Sequence, residues 1–282
     1  MQRLRIQHLT EYFFPAQVTL NQHRLLLRPR EGHDVRIESS RLEITPAYSI
    51  KWQRDVFDNS QALVNFQGRS DTLIIASEVI IQHYAPAPYD FLLEGYAVSF
   101  PFIYAAGEQI DLASFQQLIF ADDQEAIRNW LQSVDLQGME TFAMLVKLNQ
   151  TISRQFRYLA REEAGVQSPA QTLAQLSGSC RDYATLFIEA CRCMGLASRF
   201  VSGYLHAPAT EAGNATTHAW VEIYLPGTGW KGFDPTSGEV TANRHIAVAV
   251  ARDPESVPPV SGSFIGQGPA MMRVNVQVNL LD

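Results

Sequence analysis

The sequence has few cysteines, and the three it has, Cys180, Cys191 and Cys193, are crowded into one short segment. The last two are too close to make an ordinary bridge to each other, so no disulfide framework is expected. Positive charge is also in short supply: 22 Lys and Arg stand against 29 Asp and Glu, a formal net charge of −7. Phosphate backbones and anionic bilayers are held by clustered cations, which argues against nucleic acid and membrane as partners. Lysine occurs only as Lys51, Lys147 and Lys231, and nothing functional follows from that. No apolar stretch is long enough to cross a bilayer. The opening "MQRLRIQHLTEYFF" alternates polar and apolar residues from the start, unlike the unbroken apolar run of a secretion signal. The expectation is a cytoplasmic protein. Internal repeats and low-complexity tracts are missing as well.

What is there is a chain of 282 residues, 46% hydrophobic and 18% charged, enough for one large or two modest domains with real cores. To about residue 100 the apolar residues recur with period two: Leu4, Ile6 and Leu9, then Leu42 and Ile44, then Ala62, Val64 and Phe66. Turn signals at 30–32, 58–59 and 67–68 punctuate them. This half reads as an antiparallel β-sandwich domain, residues 1–100, ending near the Pro-rich "YAPAPYD" of 84–90. The period then lengthens. "DDQEAIRNWLQS" from Asp122 has acidic residues in a first turn, and Met139 to Phe156 carries Phe142, Leu145, Val146, Asn149, Ile152 and Phe156 along one face, which predicts two helices. After Gly195 strands return, the last being "MMRVNVQVNL" with Val274, Val276 and Val278 on one side. The layout is α+β, with residues 101–282 as a second domain that includes the C-terminal strands.

The segment "SGSCRDYATLF" holds the chemistry. Ser179 and Asp182 fit the S-x-x-D capping pattern, each offering an oxygen to free N–H groups of a first helical turn. Cys180 then begins the helix, which Gly195 closes. The positive end of a helix favours a thiolate and hydrogen-bonds an anion placed before it. Asp182 falls about 200° further round and should point away from the sulfur, while Gly178 leaves room for a substrate backbone. Equally, Cys180 reads as a small buried hydrophobe. Cys191 lies on the apolar helix face, and Cys-Arg-Cys inside a helix is not a zinc spacing, so neither metal nor cofactor is expected.

A cysteine nucleophile needs a base and a group to orient it. His218 opens the run "HAWVEIYL", in which His218, Trp220, Glu222 and Tyr224 share one strand face, looking toward a groove. The turn at 226–229 should fold this run onto "GWKGFDPT". From the turn centre at Gly227–Thr228, His218 is 9 to 10 residues back and Asp234 is 6 to 7 forward, so a register offset, a bulge or a strand end would bring them together. Each also has a plain structural reading, His218 as a strand opener and Asp234 as a turn former before Pro235.

"GSCRDYATLF", "THAWVEIYLPGTGW" and "GFDPTSG", in this order, resemble the Cys, His and Asp boxes of the bacterial transglutaminase-like superfamily, whose core is related to papain-like cysteine proteases. The first half is similar to that family's N-terminal β domain, notably in "HRLLLRPREG" and "RLEITPA". The resemblance implies an N-terminal antiparallel β-sandwich followed by a core of helices packed on an antiparallel sheet. It makes Cys180 the nucleophile, His218 the base and acid, and Asp234 the orienting carboxylate. Ser179 stands where some members have Val, a small replacement. "VSGYL" also matches, and Tyr204 either walls a substrate channel or only packs; Trp220 and Gly178 join it as expected substrate-binding residues.

The implied chemistry is acyl transfer at an amide bond through a thioester on Cys180. Water would complete hydrolysis, the favoured outcome because transamidation requires its exclusion. A primary amine would complete transamidation with the same triad. The substrate is a protein, a peptide or an isopeptide-linked polymer. The Cys180 N–H is the expected first oxyanion donor, with Gln150 and Tyr158 as candidates for the second or as mere packing residues. Two rival readings remain: a binding module that keeps the fold without turnover, and a redox pair of Cys180 with Cys191, whose eleven-residue spacing on one helix is about 16 Å. The Gly- and Pro-rich segment 258–269 reads as a connector or a lid.

Overall fold

The computed structural model describes residues 1–84, 88–161, 165–212 and 216–281. Six strands come first: β1 (Gln2–Leu20), β2 (His23–Leu25), β3 (Val35–Thr45), β4 (Tyr48–Arg54), β5 (Ser60–Phe66) and β6 (Ser70–His83). β1, β6 and β3 lie side by side in one antiparallel sheet, and β2, β5 and β4 form part of another. Period two decides which residues they bury: along β6, Leu73, Ile75, Val79 and Ile81 all face inward. One face of this long sheet serves two cores in succession. Phe14, Val18, Leu73 and Ile75 pack with Leu25, Ala62 and Val64 of the second sheet, while Leu4, Ile6, Val79 and Ile81 pack against the remainder of the chain. Residues 85–87 of the Pro-rich loop lie outside the described residues.

The middle of the chain supplies α1 (Ala106–Gln116), α2 (Gln124–Ser133), α3 (Thr141–Gln155), β7 (Arg157–Tyr158), α4 (Pro169–Gln175), β8 (Ser177–Gly178) and α5 (Cys180–Cys193). α3 buries Leu145, Asn149 and Ile152 on the face its spacing predicts. α5 is the central helix: of its residues only Arg181 and Cys193 are more than marginally exposed. A helix buried on every side must neutralise its polar residues internally. Glu189 does so by accepting from Arg192 Nη1 at 2.7 Å and from the N–H groups of Ile119 and Phe120 at 2.9 Å.

β9 (Ser198–Leu205), α6 (Pro208–Glu211), β10 (His218–Leu225), β11 (Gly229–Asp234), β12 (Glu239–Val240) and β13 (His245–Ala251) follow. Their strands form an antiparallel sheet in the order β12-β11-β10-β9-β13, against which α5 packs. The chain ends with β14 (Val260–Ser261), β15 (Phe264–Ile265) and β16 (Met271–Leu281). β16 corrects the division expected from sequence. It pairs with β1 from Arg3↔Leu281 to Phe13↔Met271 and so belongs to the N-terminal sheet, not to the sheet of β9–β13. Alternating Val276 and Val278 need one buried face, and the open side of β1 supplies both that face and the backbone partners. Segment 258–269 also lies along the N-terminal strands, where β14 pairs with β2, β15 pairs with β1, and Phe264 packs on Phe14. It connects and does not cover α5.

Candidate active site

Cys180 is the first residue of α5 and 8% exposed. The turn before it is held by Asp182, whose Oδ2 accepts the Ser179 N–H and the Ser179 hydroxyl, both at 2.8 Å. Its Oδ1 accepts from Arg161 and from the Gln167 N–H, both at 2.7 Å. The four donors occupy both oxygens of this wholly buried carboxylate, which stands about 200° round the helix from Cys180. Gly178 has a different use from the one expected. A methyl group there would stand 2.8 Å from Asp182 Cβ, so the glycine makes space for the capping carboxylate rather than for a ligand.

The short parallel pair β7–β8 brings a tyrosine alongside. Arg157 and Tyr158 lie opposite Ser177 and Gly178, and the Leu159 N–H donates to Gly178 O at 2.9 Å. Tyr158, half exposed, stands near enough to Cys180 for the sulfur to act on its hydroxyl. Burial, followed by the nearby sulfur, pushes this phenol up to about 12, so it stays a donor at neutral pH. The backbone of Gln150, the other candidate, runs beside the turn at Gly238.

β10 and β11 supply the remaining groups. Val221 pairs with Phe233 and Leu225 with Gly229. Continued past the pairing, this register sets Asp234 level with Trp220 and two residues short of His218, on one face of the sheet. His218 Nε2 reaches back to Asp234 Oδ2 at 2.9 Å. That commits one ring nitrogen and leaves the other for the nearby Cys180 thiol, which also favours charge on the ring. Burial works against a charge on this ring, but Asp234 and Cys180 outweigh it and raise His218 to about 10.

Asp234 is 1% exposed. Burial would raise its pKa, yet the hydrogen bonds from two histidines hold it well below the ordinary carboxylate range. The second is His245, whose Nε2 lies 3.1 Å from the same oxygen. Thr236 N–H donates to Oδ1 at 2.9 Å, and α3 fixes that loop through Ser153 Oγ to Thr236 O at 3.2 Å and Asn149 Nδ2 to Glu239 O at 3.0 Å. His218, Asp234 and His245 are thus three close metal-ligating side chains, but their nearest atoms are already spent on one another as donor and acceptor.

Two expected substrate contacts are internal. Tyr204 is buried between the sheets, with its hydroxyl 3.1 Å from His8 Nδ1 and donating to Leu27 O at 3.3 Å. The Trp220 ring is buried beside both histidines, 6.2 Å from His218 and 5.3 Å from His245 between centroids. Neither offers a surface to a ligand. Sequence reasoning missed His245 altogether, because its strand shows only an apolar run and its distance from Asp234 carries no motif. The one available signal was a histidine at the start of a buried strand, a position that needs a polar partner.

The chain matches the family model of the Transglutaminase-like superfamily over residues 128–235 and that of the Bacterial transglutaminase-like N-terminal region over residues 4–82. An uncharacterized protein of Mycobacterium bovis is 30% identical over 274 residues, covering 92% of this chain and 87% of that one. The crystal structure of a putative cysteine protease from Cytophaga hutchinsonii has a TM-score of 0.79 at 17% identity, over 100% of this chain and 91% of that one, a likeness of fold. A shorter stretch of 66 residues is 38% identical to a protein-glutamine gamma-glutamyltransferase of Pseudomonas aeruginosa, over 21% of this chain and 10% of that protein.

Proposed function

Because the chain belongs to the bacterial transglutaminase-like family, we propose that it is a cysteine-dependent enzyme that cleaves amide bonds by acyl transfer to Cys180. The observation that carries this reading is the convergence of three side chains: His218 Nε2 lies 2.9 Å from Asp234 Oδ2, and the same ring is near enough to Cys180 for the sulfur to favour its charge. His218 holds the proton of the thiol, and the resulting sulfur anion lies at the N-terminus of α5, where the helix dipole favours it. The thiolate attacks the amide carbonyl, forming a C–S bond. The oxyanion is met by the Cys180 N–H, free because first-turn N–H groups have no intrahelical partner, and by the Tyr158 hydroxyl. As the tetrahedral species collapses, the C–N bond breaks and His218 gives its proton to the departing amine or ammonia. His218 then takes a proton from water, which attacks the thioester and releases the acid.

Hydrolysis is favoured over transfer to an amine because Tyr158 is half exposed beside the sulfur and the segment 258–269 lies elsewhere. Water therefore has a route to the thioester. The substrate is a protein, peptide or isopeptide-linked polymer. The three free cysteines suit a reducing compartment, and the cytoplasm is the location we assign. Incubation with a peptide library and a labelled primary amine tests the proposal by mass spectrometry. Chain scission or loss of ammonia, abolished in Cys180→Ala, is the expected result. Tracer incorporation would replace hydrolysis by transamidation, and no change in any peptide would leave a binding module.

A further inference from the structure

Asp234 is served by two histidines, and the superfamily boxes account for one. His245 begins β13, three strands away from β11 in the sheet order. The register explains how it arrives. Gly203 of β9 pairs with His218 on one side and with Ala247 on the other. Two residues along β13 from Ala247, on the same face, stands His245. Its ring therefore lies on the face that carries His218 and Trp220, with the Trp220 ring filling the space over Gly203, and meets Asp234 from the β10 side of β11.

The ring has little freedom. The Ala242 N–H donates to Nδ1 at 3.5 Å, so Nδ1 is an acceptor and Nε2 carries the hydrogen that it donates to Asp234 Oδ2 at 3.1 Å. Trp220 stands edge-on against the same ring. His83 of β6 is bonded to the His245 carbonyl at 3.3 Å, which ties the strand end to the N-terminal sheet. The other charged group nearby, Arg244, is turned outward to Glu239. With Thr236 on Oδ1, every direction of Asp234 is fixed, and rotation of the carboxylate would break bonds to His218 and His245 together.

We propose that His245 is a positioning residue of this site: its Nε2–H locks the Asp234 carboxylate in the one orientation that serves His218. It touches neither the sulfur nor a substrate and acts through Asp234 alone. While His218 alternates between one and two ring hydrogens, its own bond to Asp234 strengthens and weakens; the bond from His245 does not change and keeps the carboxylate ionised and aimed throughout. This inference rests on the reading of Cys180, His218 and Asp234 as the catalytic groups.

The test follows the rate of Cys180 alkylation by iodoacetamide from about pH 5 to about pH 10, a range that brackets ordinary imidazole and thiol titration. It compares the unmutated protein with His245→Leu, His245→Gln and His218→Ala. His245→Leu should slow labelling about tenfold at neutral pH and move its acid limb up by about one pH unit, the loss of one charge-assisted hydrogen bond. His245→Gln, which keeps an N–H near the same place, should come within about threefold of the unmutated protein, because hydrogen-bond donation is what matters. Equal slowing in Leu and Gln would make His245 a packing residue and overturn the inference. So would unchanged labelling in His245→Leu, and if His218→Ala is slow in that experiment the catalytic reading survives. Unchanged labelling in His218→Ala overturns both. Should the His245 variants fail to fold, nitrogen NMR of the unmutated protein decides: hydrogen on Nε2 of His245 is expected, and hydrogen on Nδ1 overturns the inference.

Discussion

The ring of Trp220 fills the volume that a side chain at Gly203 would need. A methyl group built on Gly203 would stand 2.5 Å from the Trp220 ring and 2.3 Å from Ile246 O. Since Trp220 is buried against both His218 and His245, the missing side chain on β9 sets the position of the two rings that meet Asp234. Gly203→Ala should therefore cost about 1–3 kcal/mol, the usual scale of overpacking, and should also slow Cys180 alkylation. Urea denaturation measures the first effect and iodoacetamide labelling the second; a stable variant with unchanged labelling would refute the link.

The three thiols differ in environment, and their reactivity should follow. Cys191 is wholly enclosed and burial drives its thiol pKa up; burial also raises that of Cys193. Iodoacetamide at neutral pH should label Cys180 first and leave the other two unmodified in the folded protein, as read by peptide mass mapping. Equal, slow labelling of all three would count against an activated Cys180. A Cys180–Cys191 bridge under mild peroxide, the mark of a redox pair, is not expected, since the two stand near opposite ends of α5.

Tyr158→Phe removes one hydroxyl beside the sulfur and nothing else. If that hydroxyl meets the oxyanion, kcat should fall by about a hundredfold, the scale of one oxyanion donor, with KM little changed. A rise in KM at constant kcat would make Tyr158 a substrate contact.

The His218–Asp234 pair gives stability a defined pH window. His218 is raised from 6.5 to about 10 in the folded protein, so its contribution is complete below about 6.5 and fades as pH climbs through about 10. Asp234 is lowered from 3.8, so its contribution is complete above about 4 and is lost as pH falls toward the depressed folded value. The excess Tm of the unmutated protein over Asp234→Asn should be greatest between about pH 4 and about pH 6.5. Thermal melts across that range check it, and a difference independent of pH would refute it.

Asp182 is a structural test of the helix start. It accepts four hydrogen bonds in a site closed to water, including that of Arg161 at 2.7 Å. Asp182→Ala removes the acceptor of the Ser179 and Gln167 N–H groups and one partner of Arg161, and should cost about 3–5 kcal/mol, the range for breaking a buried pair. Circular dichroism during urea titration reads the loss.

Most of the site was legible because its parts are local. A Ser-x-x-Asp cap defines the start of α5 from four adjacent residues, and a hairpin of short turn joins β10 to β11, so a count from the turn already sets His218 within reach of Asp234. The alternation of β1, β3 and β5 likewise announced a sandwich. Where the reading went astray, the deciding contact joined distant segments. Trp220 and Tyr204, expected as substrate-binding residues with packing as the alternative for Tyr204, are covered by β13 and by the N-terminal sheet, which no strand pattern announces. Gly178 was read from its smallness alone, and its neighbour turned out to be Asp182. β16 has the same alternation whichever sheet it joins, since period two specifies a buried face and not the partner that buries it.

By itself, then, the sequence determined the elements, the helix cap beneath Cys180 and the hairpin that offers His218 and Asp234, because each depends on residues close along the chain. Only the tertiary structure decided that Tyr158 stands at the sulfur, that Trp220 and Tyr204 face inward, and that His245 closes on Asp234. Those contacts depend on the order of strands in a sheet and on which layer covers which face, and backbone hydrogen bonds that fix such order are the same for every pairing of sequences until side-chain packing selects one.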